Sequence, residues 1–139
     1  MKNLSFILTL VLLVSACNSS DRKIVQNFNT KSQDFSEGKD IYNDFCIQCH
    51  MANGKGVPKV FPPLAKSDYL KNYRIESIKA IKYGLSGEIT VNGEKYNTAM
   101  ASQGLTNKEI AAVMNYITNS WGNKNTSLIT EEEVSKVER

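Results

Sequence analysis

Histidine is almost absent from this chain of 139 residues, which has one, at position 50. No site built from two or more imidazoles is available to it. Cysteine is scarce as well, at positions 17, 46 and 49. A structural zinc site usually takes four Cys or His ligands, and Cys46, Cys49 and His50 supply three, two of them sequence neighbours that converge awkwardly on one tetrahedral ion. The charge balance is slight, 17 Lys and Arg against 14 Asp and Glu for a net of +3. That is far from the basic stripe that neutralises phosphates, and no nucleic-acid partner is expected. There is no internal repeat. No apolar run reaches the roughly 20 residues that a membrane-spanning helix needs.

The one pronounced apolar stretch, "LSFILTLVLLV", follows "MKN" at the start. A positive start followed by a short apolar core has the layout of an export signal. It ends at "VSAC", where Ser15 and Ala16 precede Cys17, and this resembles the lipobox of bacterial lipoproteins. The resemblance implies cleavage after residue 16 and a lipidated Cys17. Each buried CH₂ contributes about 0.8 kcal/mol, so two or more acyl chains anchor a protein stably where one does not. The mature protein is therefore expected on the periplasmic or cell-surface side of a bacterial membrane, tethered without spanning it. Residues 17–33 are rich in Asn, Ser, Gln and charge, with no sustained period, and read as a flexible tether with an end-to-end distance of about 20 to 25 Å. At the other end, residues 124–139 are strongly charged and read as a solvated tail.

Between these lies one domain, residues 34–123, near the size at which a hydrophobic core alone gives marginal stability. Its apolar spacing is helical. "SEGKDIYNDFCIQCH" puts Ile41, Phe45 and Cys49 on one stripe, with Ser36 as the cap. "RIESIKAIKYG" groups Ile75, Ile78 and Ile81 and stops at Gly84, a left-handed terminator. "TNKEIAAVMNYITNSW" opens on a capping box of Thr106 and Glu109, then aligns Ile110, Val113, Met114, Ile117 and Trp121. Asn92 and Gly93 in "ITVNGEKY" predict a tight hairpin. The expected class is all-α with one short β-hairpin.

Within the first helical segment, "FCIQCH" sets Cys46 and Cys49 three apart with His50 directly after. On a helix, residues three and four apart share a face. Two thiols so placed can add to the two vinyl groups on one porphyrin edge while the imidazole reaches the iron, and CxxCH reads as a c-type haem attachment. A thioredoxin-type pair expects a preceding strand, which the pattern lacks. A plain disulfide suits an oxidising compartment but leaves His50 unexplained. The second axial ligand follows by elimination, because histidine is exhausted and methionine is the best remaining donor. Met1 leaves with the signal, Met51 adjoins His50, and Met114 falls in an apolar helical stripe. Met100, in an irregular stretch after the hairpin, remains.

With "FPPLAKSDYL", "GLSGEITVNGEKYNTAM" and "LTNKEIAAVMNYITNSWGN" added to the CxxCH segment, the chain resembles the class I, mitochondrial-like, monohaem c-type cytochromes. It is especially similar to modules that accompany copper nitrite reductases, haem–copper oxidases and membrane-associated dehydrogenases. The resemblance implies crossing first and last helices over one covalent haem c, with Cys46 and Cys49 as thioether positions and His50 as proximal ligand. It implies that a proline two residues before a leucine, here Pro62 and Leu64, offers its carbonyl to that histidine. In the family the distal methionine usually precedes a proline, whereas Ala101 follows Met100. Tyr96 and Trp121 are candidates to meet the haem propionates, since buried Tyr and Trp seek polar partners. A monomeric one-electron carrier, rather than an enzyme, is the expected function, with a haem–copper oxidase, copper nitrite reductase or dehydrogenase as partner. Two other readings stay open. An uncoordinated Met100 leaves an open-site peroxidase or gas sensor, and a chain without haem leaves a Cu(I)-handling protein, since soft sulfur suits Cu(I).

Overall fold

The computed structural model describes residues 34–139. The expected export signal, lipidated Cys17 and tether fall outside the described residues. Six helices and one hairpin follow in order: α1 (Ser36–Phe45), α2 (Ile47–His50), α3 (Asp68–Asn72), α4 (Arg74–Tyr83), β1 (Ile89–Val91), β2 (Glu94–Tyr96), α5 (Asn107–Ile117) and α6 (Glu131–Ser135).

The first helical segment differs from its expected stripe. Ser36 is already helical, and the Asp34 carboxylate accepts the Ser36 N–H at 2.9 Å. Gly38, Ile41 and Tyr42 form the buried face, while Phe45 is exposed. The chain leaves regular helix at Cys46 before resuming as α2, so Cys49 does not continue the stripe of α1. In α4, Ile78 and Ile81 are buried and Ile75 is exposed, a narrower face than the three isoleucines predict. Gly84 does stop α4 at positive φ, but at φ 85° and ψ 168° it is extended rather than left-handed helical.

Two local signals hold as read. Thr106 and Glu109 form the reciprocal capping box of α5, and Ile110, Val113, Met114 and Ile117 along it are buried. Asn92 and Gly93 both take positive φ, 52° and 82°, between β1 and β2, as the tight hairpin turn demands. Ile89 pairs with Tyr96 and Val91 with Glu94. Asp68 and Asn92 exchange side-chain-to-backbone hydrogen bonds of 3.0 and 2.7 Å, which fix the hairpin to the start of α3.

The centre of the fold is α1 laid against α5. Gly38 permits it, because a Cβ there would overlap the Ala112 carbonyl and the Tyr116 Cβ. Beside this contact Tyr42, Tyr116 and Trp121 form a ring cluster with centroids 4.9 to 5.5 Å apart. Trp121 itself lies beyond the end of α5 at φ 52°, with its ring against Gly54.

The solvated-tail reading of residues 124–139 is overturned. Ile129, Val134 and Val137 are buried members of the core cluster, and α6 packs on α5 with a Thr130 side chain capping it. α5 is thus the partner of α1, but it is not the last helix.

Candidate functional site

The residues around the CxxCH turn build a cleft. Cys46 and His50 enter it from the α1–α2 break, Pro62 and Leu64 from the loop that follows, and Ala80 and Ile81 from α4. Leu85, Ile89 and Val91 come from the hairpin region, Met100 from the segment after it, and Met114 and Ile117 from α5. Nearly all of this lining is apolar. Cys49 is half-buried and stands outside the lining residues.

His50 is the polar centre. Its Nδ1 lies 3.0 Å from the Pro62 carbonyl oxygen, which can only accept, so Nδ1 carries the proton. In the neutral ring the other nitrogen, Nε2, then keeps its lone pair, the form in which imidazole ligates a metal. Burial favours that neutral form by holding the His50 pKa below its ordinary 6.5, and the hydrogen bond to Pro62 opposes the shift only in part. The expected role of the Pro62 carbonyl is met by this geometry. Gly56 holds the same turn. At φ 61° its N–H donates to the His50 carbonyl at 3.0 Å, and a Cβ would strike the Phe61 and Pro62 carbonyls. The signal was the second glycine of "NGKG", one more than a helix stop requires.

Cys46 and Cys49 are not joined in a disulfide, so both sulfurs are available for attachment. Burial, and secondarily the neighbouring Cys49, pushes the Cys46 thiol up to about 11. Among the described residues no three His, Cys, Asp or Glu converge as a metal cluster would.

Met100 and Met114 both line the cleft, but differently. Met114 is wholly buried within the α5 stripe. Met100 is half-buried and held by its backbone, exchanging hydrogen bonds of 2.8 and 2.9 Å with Leu85. Tyr96 and Trp121 are not among the lining residues. The Trp121 indole N–H donates to the Ala52 carbonyl at 3.1 Å, which uses its one donor. The expectation that these two side chains meet the cofactor gains nothing from their placement.

The profile of the cytochrome c family matches residues 35–121. The chain belongs to the cytochrome c family. Two relatives place it within that family. Cytochrome c-552 of Thermus thermophilus is 41% identical over 111 residues, covering 73% of this chain and 84% of that one. The cytochrome c subunit of a quinone alcohol dehydrogenase from Gluconacetobacter polyoxogenes is 32% identical over 104 residues, covering 72% of this chain but 22% of the larger subunit. Like other cytochromes c, it is an electron carrier, and its cofactor is covalently bound haem c. The donor set fits that group: two thiols three residues apart, an imidazole with its Nε2 lone pair available, and an apolar cleft that a flat macrocycle can fill. Haem c supplies a one-electron iron couple, and this cytochrome's own residues supply attachment, ligation and exclusion of water. Among its described residues no helix is long and apolar enough to cross a membrane.

Proposed function

We propose that this cytochrome is a membrane-tethered one-electron carrier in which His50 and Met100 are the two axial ligands. The observation that carries the reading is that His50 and Met100 line one apolar cleft. With both residues committed to the iron, no coordination position is left for a substrate, which favours transfer over peroxide or gas chemistry. Methionine as a ligand raises the potential relative to a second histidine, and the apolar lining disfavours the extra charge of the ferric state. Likeness to a dehydrogenase cytochrome subunit supports the dehydrogenase among the suggested partners as electron donor, with the copper nitrite reductase or haem–copper oxidase as candidates on the accepting side. The protein acts as a monomer on the exported side of the membrane, held there through Cys17.

Substitution of the two methionines tests the ligand. Met100→Ala is expected to abolish the far-red sulfur-to-iron absorption of the ferric protein, lower its potential and open the iron to cyanide. Met114→Ala should keep that absorption and cost about 2 to 5 kcal/mol of stability, as other buried large-to-small changes do. The reverse pattern in an absorption spectrum assigns the ligand to Met114. The tether is tested separately. Cys17→Ser protein is expected in the soluble exported fraction with its haem intact, and retention on the membrane after fractionation means another anchor exists.

A further inference from the structure

The family profile ends at residue 121, yet the chain that follows grips the fold at chosen places. Arg74 opens α4. It donates from Nε and Nη2 to the Glu133 carboxylate at 2.5 and 2.6 Å, and from Nη1 and Nη2 to the carbonyls of Ser127 and Leu128 at 2.8 and 3.0 Å. Lys82 and Tyr83 close α4. Lys82 Nζ donates to the Val134 and Val137 carbonyls at 2.8 and 3.1 Å, and the Tyr83 hydroxyl donates to the Val137 carbonyl at 2.9 Å. The Arg139 guanidinium lies 5.7 Å over the Tyr83 ring. Ile129, Val134 and Val137 anchor the segment in the core beneath these bonds. Both ends of α4 are therefore tied to residues 127–139.

The end of α4 is also what the Met100 segment rests on. Leu85 and Met100 exchange their two backbone hydrogen bonds, and the Ser102 hydroxyl donates to the Lys82 carbonyl at 2.8 Å. Between them Gly84 lies so close that a Cβ would come 2.8 Å from the Met100 carbonyl. Residues 82–85 thus face the C-terminal segment through side chains and the Met100 segment through backbone.

We propose that residues 127–139 act as a clamp that sets how firmly Met100 is held toward the haem iron, with Lys82 and Tyr83 as the positioning residues that transmit the grip. This inference rests on the reading of Met100 as axial ligand. A clamp that served stability alone would need only the buried valines and isoleucine. Three polar bonds instead fall on the two residues that directly precede the Gly84–Leu85 support of Met100. Loosening them frees that support to shift, and the sulfur leaves the iron more readily.

The test uses the full-length holoprotein carrying Lys82→Met with Tyr83→Phe, which removes three donated bonds and keeps the apolar stems. Cyanide binding to the ferric form should strengthen about tenfold, the scale of one or two lost hydrogen bonds. The far-red absorption should fade on heating before the helical CD signal does. Tyr83→Phe alone, which deletes a single oxygen, should move both readouts the same way by less. Ile110→Val, a core change that removes none of the clamp's hydrogen bonds, should lower the melting temperature while leaving cyanide affinity unchanged. Wild-type cyanide affinity in both clamp variants overturns the inference, as does an equal change in Ile110→Val. Should Met100→Ala retain the far-red absorption, the ligand reading itself fails; should it lose that absorption while the clamp variants behave as wild type, only the clamp is refuted.

Discussion

Protein carrying Cys46→Ser together with Cys49→Ser, and retaining no haem, is expected to show neither native helical CD nor a cooperative melt. The domain is small, and the described core draws its members from both sides of the cleft, with Ile81, Met114 and Ile117 shared between core and lining. A macrocycle in the cleft covers roughly 400 Å² of apolar surface, worth about 10 kcal/mol at about 25 cal/mol per Å². That equals the whole net stability of a typical domain, about 5 to 15 kcal/mol. The local elements have little of their own to fall back on. α2 and α3 span four and five residues, well short of the roughly 12 to 15 that make an isolated helix even marginal in water. A cooperative thermal transition in the haem-free double variant contradicts this account.

The second large effect is expected from a single methyl group. Gly38→Ala should cost more than about 3 kcal/mol, beyond the usual range for overpacking. The atoms in the way are the Ala112 carbonyl and the Tyr116 Cβ, which belong to a helix backbone and its root and cannot swing aside. Separating the helices to admit the methyl would also strip contacts from Ile41, Tyr42, Ile110 and Val113, all buried beside it. Denaturant titration of the holoprotein measures the loss, and the melting temperature should fall by more than about 10 °C. A change of under about 1 kcal/mol means that α1 can slide on α5 at little cost.

What the sequence made legible is chemistry and short-range geometry. The CxxCH spacing, the Asn92–Gly93 turn and the Thr106–Glu109 box each depend on residues within five positions of each other, so no distant partner is needed to decide them. The Pro62 carbonyl was reachable only through family resemblance, because its target lies twelve residues away across a loop. Other features depend on what the chain meets after folding. Phe45 is exposed at the end of α1, and Gly38, which has no side chain to register in an apolar pattern, is the key to the helix contact. Residues 124–139 read as solvent-loving because glutamates surround Ile129, Val134 and Val137. Three apolar residues in that setting show no period; they are buried in the core cluster, and the segment is tied by Arg74, Lys82 and Tyr83, which lie some fifty positions earlier in the chain. The Trp121 indole found a backbone carbonyl next to the CxxCH turn, a partner that composition does not reveal.

The seating of Gly38 against Ala112 has a kinetic side. One residue stands near the start of the described chain and the other in its fifth helix, so the contact that organises the core has high sequence separation, and closing such a loop must be compensated by burial that comes only afterwards. Local pieces such as the hairpin can flicker into shape at once, but none of them is stable alone. The polypeptide is therefore expected to stay uncommitted until α5 can meet α1 with haem attached, and to gain most of its structure in that late step.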